Sequence, residues 1–458
     1  MKICNIMRPD TGIYELRAIR KTPIITISLI IINVIVYIIT SINNNFLSIS
    51  NEWLLLGGYI PLRLNNLSEI YRLFTSMFMH ADLIHIFFNM YFLYLFGRAV
   101  ENVIGRFRFL CLYIGSGLAA SIFHTALSII QGVEAIAVPA IGASGAISGV
   151  LGAYLLLFPR TSLTACWFFF YLPVCFTVKA AYYLVFWFAL QVIYGYAKIG
   201  AVAFFAHAGG FLGGMTLLPL VIDKERHTLL KLMMSRERVF EYIVYRFIGL
   251  KNMGLGGVKI ILSVLILALL MNSVYALSSS NEHSENVYAL KTYADYLQCI
   301  YNRCSTGSQV DFLVIDLEMK KVLNTPIQDM IRVLLNRLDA TGYIYNATLS
   351  NWNGTISWSG YVYVAKLPVM LRLNMIAQYN DLGLLQYAYG QAETEVLHCL
   401  NGICKPTEII AKYKEFRIET EGPISLKNLI QIPALISIII SIYALYTVLK
   451  KDKELEIV

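Results

Sequence analysis

A serine and a histidine in the first half of the chain could act together as a nucleophile and its base. Ser144 lies in the run Gly142-Ala143-Ser144-Gly145, at the predicted start of a short apolar helix. The first N–H groups of a helix have no intrahelical partner, so they can stabilise a negative oxygen that forms beside the serine. Glycines at positions 142, 145, 149 and 152 recur at helical spacing, which lets another helix approach closely. Plain helix packing is the alternative interpretation of this run.

The histidine opens a second glycine-rich run, which reads His207-Ala208-Gly209-Gly210-Phe211-Leu212-Gly213-Gly214. His207, Gly210 and Gly214 fall on one helical face, so the backbone beside the imidazole is bare. If this face packs on the glycines of the serine helix, the base meets the nucleophile. A histidine inside a membrane span is costly and is therefore a functional candidate, with a structural hydrogen-bonding role as the alternative.

A third cluster consists of His80, His85 and Asn89. His85 and Asn89 are four residues apart on one predicted helical face, where an imidazole N–H and an amide N–H can donate to the same oxygen. These two side chains would complete an oxyanion hole, and His80 would support the site from the preceding loop. A metal site is the alternative, but no acidic or thiol ligand accompanies the cluster at a suitable spacing.

The composition indicates the kind of elements that must position these residues. The chain has 458 residues, of which 57% are hydrophobic and only 14% are charged, and its formal net charge is +8. Soluble chains carry about a quarter charged residues, so this chain must hide apolar surface in lipid. It is predicted to be a polytopic α-helical membrane protein, with a first apolar run too long for a cleavable signal.

Eight windows meet or approach the roughly 20 apolar residues that a membrane-spanning helix needs. The fourth is short and rich in glycine, which predicts an inner helix shielded by its neighbours. Residues 166–176 are apolar but contain Pro173, and they are predicted to be a membrane-associated connection rather than a span. The eight windows are residues 22–42, 84–103, 109–130, 142–157, 178–196, 202–222, 258–277 and 429–449.

Lysine and arginine accumulate in alternate connections, and cytoplasmic loops are enriched in these residues. Alternating the spans predicts a cytoplasmic N-terminus at 1–21, a basic cytoplasmic loop at 223–257 and a cytoplasmic tail at 450–458. The same count places residues 278–426 on the outer side of a cell membrane. Contact with anionic lipid explains the basic loop, so no nucleic acid partner is predicted.

The outer segment is long enough to form a separate domain, and its patterns predict a mixed α and β fold. A helix is expected after Thr325-Pro326, and strands are expected at 311–317 and 358–365. Four cysteines lie here in two C-x4-C pairs, and an oxidising compartment predicts two disulfides of unknown connectivity, with a four-thiolate zinc site as the alternative. These cysteines are Cys299, Cys304, Cys399 and Cys404.

Residues 20–222 resemble the rhomboid family of intramembrane proteases in the order and spacing of their motifs. The resemblance rests on the run Tyr71-Arg72-Leu73-Phe74-Thr75-Ser76-Met77-Phe78-Met79-His80, then His85, Asn89, Glu101, Gly142-Ala143-Ser144-Gly145 and His207-Ala208-Gly209-Gly210. It implies a six-helix catalytic domain over 22–222 with a Ser–His dyad. The resemblance does not extend to the outer domain or to the seventh and eighth spans.

The resemblance implies that Ser144 is the nucleophile, that His207 is the base, and that the Ser144 N–H, His85 and Asn89 hold the oxyanion. Arg72 and Glu101 match architectural positions. The implied substrates are single-span membrane proteins in the lipid bilayer, cut after small residues, without metal or other cofactor. Ser148 stands where family members often have an aromatic residue on the base, and Tyr71 replaces a tryptophan.

Two other functions are possible for such a chain. One is a catalytically silent rhomboid-like protein that binds transmembrane clients, which would be expected to have lost Ser144 or His207. The other is a transporter that uses intramembrane histidines as a proton or metal path, which would be expected to carry intramembrane carboxylates. The chain keeps both dyad residues, and Glu101 lies near a helix end. The sequence therefore favours a serine endopeptidase.

Overall fold

The computed structural model describes residues 7–10, 22–131, 133–169, 172–198, 203–232, 255–280, 287–300, 303–317, 321–323, 330–364, 367–400 and 403–457. The chain separates into two compact units. The first, which we call the helical unit, contains residues 1–50, 57–283 and 427–458. The second, which we call the sheet unit, contains residues 284–426 together with 51–56.

Helices form almost all of the regular structure in the helical unit. Seven helices within the described residues are long and apolar enough to cross a membrane, and the buried helix Ser144–Leu157 is shorter. The bounds are α1 Ile24–Ser41, α2 Asn51–Gly57, α3 Arg72–Thr75, α4 Leu83–Phe92, a π-helical segment Leu93–Gly97, α5 Arg98–Ile104, α6 Arg106–Gln131, α7 Ser144–Leu157, α8 Ala180–Ala197, α9 Phe204–Val221 and α10 Gly256–Ser279. The division between the two units falls within α2: residues 51–56 belong to the sheet unit, and Gly57 belongs to the helical unit.

The predicted fold class is confirmed, because the apolar windows of the sequence coincide with these helices to within a few residues. The prediction of an inner helix is also confirmed: every residue of α7 from Gly145 to Leu157 is buried. Its 14 residues rise only about 21 Å, too little to span a hydrocarbon core of about 30 Å alone. Neighbouring helices α6 and α9 enclose it.

Residues 166–176 were predicted to be a connection, and the structure shows a strand pair there instead. Strands β1 Met7–Asp10, β2 Ser162–Phe169 and β3 Leu172–Lys179 form a three-stranded antiparallel sheet in that order. Pro173, which suggested a break, lies on the edge strand β3 opposite Phe168. Proline is tolerated on an edge strand because its missing N–H can face away from the ladder.

The last part of the chain returns to the helical unit and contacts the C-terminal end of α7. Helix α12 Leu426–Tyr446 continues through a π-helical segment Thr447–Lys451 into α13 Asp452–Leu455. The Ile457 N–H donates to the carbonyl of Leu157 at 2.8 Å, and Arg160 pairs with Glu456 at 2.6 Å. One of the last carbonyl oxygens of α7, which has no partner within its own helix, is thereby satisfied.

The sheet unit contains a seven-stranded, fully antiparallel sheet. Its strands lie in the order β6-β5-β4-β10-β9-β8-β7. Their bounds are β4 Val287–Ile300, β5 Arg303–Asp316, β6 Lys321–Leu323, β7 Asn353–Val364, β8 Leu367–Tyr379, β9 Leu385–Leu400 and β10 Ile403–Ile424. The predicted strand at 311–317 coincides with the end of β5 as far as Asp316, and the one at 358–365 with the end of β7 as far as Val364, while residue 365 lies outside the described residues. The sheet is far larger than those two patterns indicated.

One helix, α11 Met330–Ala340, packs against strands β4, β5 and β7 of this sheet. The start that the sequence predicts for it, at 325–326, lies outside the described residues. Leu334 and Leu338 are buried with Leu371 and Phe416 in a single apolar core. Along β8, buried residues alternate with exposed ones, as expected when one face of a sheet packs on a core.

Both cysteine pairs lie at hairpin tips of the sheet unit. Cys299 and Cys304 stand opposite each other on β4 and β5 and form a disulfide bond. Cys399 is also disulfide-bonded, and Cys404 is its register partner across β9 and β10. The disulfide interpretation of these cysteines is therefore favoured over a shared zinc site.

Candidate active site

Ser144 is the first residue of α7, and the turn before it depends on a glycine. Gly142 has a φ of 122°, a conformation that residues with a side chain rarely adopt. Its N–H donates to the carbonyl of Ser76 at 2.9 Å, which fixes the entry to the helix. The first helical N–H bond to Ala143 comes from Ile147, so the N–H groups of Ser144, Gly145 and Ala146 precede the helical ladder.

His207 on α9 faces this serine directly. The distance from His207 Nε2 to Ser144 Oγ is 2.7 Å. The two helices approach this closely because their facing positions are glycines: a methyl group added at Gly210 or Gly214 would overlap the carbonyl oxygen of Gly145 or of Gly149. The distance and direction are those of a nucleophile hydrogen-bonded to a general base.

His85 lies on the other side of Ser144, at the start of α4. The Ala81 N–H donates to His85 Nδ1 at 3.3 Å, so the ring proton of neutral His85 is on Nε2. A methyl group built at Gly142 would meet His85 Nε2 at 2.9 Å and Ser144 Oγ at 3.5 Å. The His85 N–H donor therefore borders the same small space as the serine oxygen.

His80 supports this arrangement from the loop before α4. Its ring is fully buried, stands edge-on to the ring of His85 at 5.1 Å, and accepts the Ala143 N–H at 3.5 Å. Burial lowers the pKa of His80 to about 3, so this imidazole is neutral at physiological pH. It thus contacts both the oxyanion candidate and the turn that carries the nucleophile.

Asn89 is buried one turn below His85 on the same helix. Its amide donates to the His85 carbonyl at 3.0 Å, and among the described residues no hydrogen bond joins it to Ser144. One amide hydrogen is thus occupied within α4, and the other remains for a further acceptor.

Arg72 and Glu101 hold elements around the site. The Arg72 guanidinium is buried, pairs with Glu69 at 2.5 Å and donates to the carbonyl of Gly58 at 3.0 Å. The Glu101 carboxylate accepts three bonds from the start of α1: the N–H groups of Ile25 and Thr26 and the Thr26 hydroxyl, at 3.0, 2.8 and 2.7 Å. An acidic side chain at a helix N-terminus satisfies free N–H groups and complements the helix dipole.

Two residues of α8 that were not among the predicted site residues contact His207. Gln191 Oε1 lies 2.8 Å from His207 Nδ1, and the Trp187 ring stacks on the imidazole with centroids 6.2 Å apart. Ser148, at the position where an aromatic residue was expected, donates instead to the Ser144 carbonyl at 2.6 Å. A glutamine within the apolar window 178–196 was the available signal, because polar residues in membrane spans are costly.

In the parts of the chain that the structure describes, no group of three or more histidine, cysteine, aspartate or glutamate side chains could hold a metal ion. The side chains of His80, His85 and Asn89 each make a hydrogen bond with a backbone group.

Comparison with known proteins gives a family match for the part of the chain that carries this site. The family model described as Rhomboid domain matches residues 67–224. The chain is 37% identical over 89 residues to "Putative rhomboid protease YdcA" of Bacillus subtilis, which covers 19% of this chain and 42% of that protein. It is 33% identical over 133 residues to "Rhomboid protease GluP" of the same organism, covering 29% and 24%. The chain thus spans less than half the length of these relatives.

A third relative is "Rhomboid protein 1, mitochondrial" of Saccharomyces cerevisiae, 32% identical over 111 residues that cover 24% of this chain and 32% of that protein. The matched residues 67–224 include Ser144, His207, His85 and Asn89. Residues 67–224 are thus similar to the rhomboid family, and this similarity supports the family for that part of the chain. The sheet unit lies outside the matched residues.

Proposed function

We propose that the chain is an intramembrane serine endopeptidase that hydrolyses peptide bonds within or beside transmembrane segments. The single observation that carries the proposal is the 2.7 Å contact between Ser144 Oγ and His207 Nε2, at a helix N-terminus with free N–H groups. Nucleophile, base and oxyanion donors are the minimal set that acyl transfer requires.

In the proposed reaction, Ser144 Oγ attacks the scissile carbonyl while His207 Nε2 takes the serine proton. The negative oxygen of the tetrahedral intermediate is held by the Ser144 N–H, by His85 Nε2–H and by the second amide hydrogen of Asn89. The imidazolium then gives its proton to the leaving amine, which leaves an acyl-enzyme on Ser144. Water, deprotonated by His207, hydrolyses this ester and restores both groups.

The proposed substrates are single-span membrane proteins. A stable helix hides its peptide bonds, so a protease in lipid needs a segment whose backbone opens at modest cost. We place the enzyme in a membrane as a multi-pass protein, with residues 278–426 on the outer side and the 450–458 tail inside, because the basic residues follow that alternation. Relatives include mitochondrial proteins as well as bacterial ones, so the proposal covers a membrane without naming the compartment.

Cleavage of a single-span reporter substrate by the purified full-length protein in liposomes tests the reaction. Ser144→Ala and His207→Ala are expected to abolish both cleavage and labelling by a fluorophosphonate probe. The matched controls are Ser128→Ala and His227→Gln. Ser128 is a buried serine on α6 whose hydroxyl donates to the Thr125 carbonyl, and His227 Nε2 is hydrogen-bonded to the Leu455 carbonyl. Both controls should keep wild-type rates. Folded wild-type protein that neither cleaves a panel of substrates nor reacts with the probe would favour the client-binding function instead.

A further inference from the structure

Gln191 is a buried polar side chain in the apolar helix α8, and both ends of its amide are engaged. Its Nε2 donates to the backbone carbonyl of Trp187 at 3.4 Å, and its Oε1 lies 2.8 Å from His207 Nδ1. With the nitrogen directed at a carbonyl oxygen, the amide oxygen is the atom that faces the imidazole. An amide oxygen only accepts, so His207 Nδ1 must carry the ring proton.

We propose that Gln191 is a positioning residue that holds His207 in the tautomer a general base requires. A neutral imidazole has one N–H, and a proton on Nδ1 leaves the Nε2 lone pair free. That lone pair points at Ser144 Oγ, 2.7 Å away, and can take the serine proton. This inference rests on the proposed endopeptidase function and names the residue that prepares its base.

Helix α8 holds the imidazole in two ways. Gln191 fixes the proton and the rotation of the ring through one hydrogen bond, and the Trp187 ring packs beside the imidazole, with centroids 6.2 Å apart and an interplanar angle of 30°. Gln191 and Trp187 are four residues apart and project from one helical face. Ser148 on α7 has no ring to place beside the imidazole of His207, and Trp187 on α8 provides an aromatic ring there instead.

A neutral amide suits this location better than the aspartate of a catalytic triad. A carboxylate buried within a membrane span is costly, whereas an amide accepts the same hydrogen bond without a charge. The titratable side chains that act on His207 are His85 and His124, which are also imidazoles. When His207 takes the serine proton, its Nδ1–H stays hydrogen-bonded to Gln191 Oε1. The new Nε2–H then faces the leaving amine.

Three variants of the full-length protein test the role of the amide oxygen. Gln191→Met removes the acceptor at similar length, and Gln191→Glu keeps an acceptor and adds a charge. Gln131→Met is the matched control, because Gln131 donates to the Gly195 carbonyl of the same helix α8 without touching His207. Each is measured for Ser144 labelling by a fluorophosphonate between pH 5 and pH 9, and for the His207 tautomer by ¹⁵N NMR of histidine-labelled protein.

For Gln191→Met we expect labelling to slow about tenfold or more, the effect of one lost hydrogen bond, with the NMR signal of Nδ1 shifting towards the unprotonated form. For Gln191→Glu we expect the acid limb of the rate profile to move to higher pH by about one unit, because a carboxylate stabilises the imidazolium. The His207 signals are identified by their loss in His207→Gln. Gln131→Met should match wild type in both measurements.

Wild-type labelling and an unchanged tautomer in folded Gln191→Met would overturn the proposal. So would a Gln191→Glu profile that keeps the wild-type pH dependence, because that side chain would then act only by packing. If Gln191→Met does not fold, the pH profile of Ser144 labelling in Gln191→Glu decides whether the proposal holds. If wild type shows no labelling at any pH, the endopeptidase proposal fails, and the tautomer in wild type against Gln191→Met still reports on the positioning role.

Discussion

The interior of the helical unit and that of the sheet unit are filled by different kinds of residue. Around the site, α7 and α9 touch through glycines, so that backbone lies against backbone. In the sheet unit, large apolar side chains such as Leu371 and Phe416 fill the space between the sheet and α11. The helical contact leaves no room for one more methyl group, while the sheet core is an ordinary apolar core.

The difference explains where chemistry is possible. Backbone contact fixes the distance between two helices closely, and a reaction needs its groups placed within fractions of an ångström. Alternating apolar side chains stabilise a sheet without directing any polar group to a particular place. The two units should therefore respond differently to substitution, and four measurements test this expectation.

The largest effect is expected for Gly214→Ala, two turns beyond the proposed base His207 on α9. Its new methyl group would overlap the Gly149 carbonyl, and α9 must shift to relieve the contact. A displacement of about 1 Å costs roughly 100-fold in rate even when the substitution is remote from the chemistry. The Ser144 labelling rate and substrate cleavage measure this loss.

The control is Gly257→Ala on α10, where an added methyl group meets nothing within 4 Å. This variant should label at the wild-type rate. Equal labelling rates for Gly214→Ala and wild type would show that contact between glycines does not hold α7 and α9 in place. The contrast drawn between the interiors of the two units would then be wrong.

A smaller effect is expected for Glu101→Gln, which alters the acceptor for three donors at the start of α1. An amide presents an N–H₂ group to one of these donors, so the variant should lose about 2 kcal/mol of unfolding free energy. Thermal or chemical unfolding in detergent measures it, with exposed Glu225→Gln as the control. A loss below about 0.5 kcal/mol would mean that this cap contributes little to the helical unit.

In the sheet unit, the double variant Cys299→Ser, Cys304→Ser opens a disulfide between residues separated by five positions. For a loop this short we expect the free energy of unfolding to fall by about 2 kcal/mol, because the unfolded chain regains conformational freedom. Faster hydrogen exchange in the β4–β5 hairpin should report it. Ser144 labelling should not change, and a large fall in labelling would show that the two units are not independent in function.

The smallest effect, with the opposite sign, is expected for Arg337→Met on α11. The Arg337 side chain is buried, its Nε and Nη1 lack hydrogen-bond partners within the described residues, and burial lowers the pKa of its guanidinium. A buried charge without a paired acid is costly, so an apolar side chain of similar length should stabilise the unit by about 1 kcal/mol. Exposed Arg372→Met is the control, and a clear loss of stability for Arg337→Met would contradict this account.

Much of the helical unit could be predicted because long apolar windows have few alternatives in a membrane protein. Lipid requires every backbone polar group to be satisfied within the segment, so an apolar run of about 20 residues is a helix. The strand pair at 162–179 was missed because short apolar runs with one proline fit a connection equally well. The size of the sheet was missed because strands with mixed polarity give weak patterns.

The sequence alone singled out the proposed nucleophile and base, because glycine runs at helical spacing carry Ser144 and His207. The contacts that hold His207 follow only from the tertiary structure. Gln191 and Trp187 lie 16 and 20 positions before it on another helix, so no local pattern connects them to the imidazole. Their contacts arise from the packing of α8 on α9, a relation between faces of separate helices that spacing along one helix does not contain.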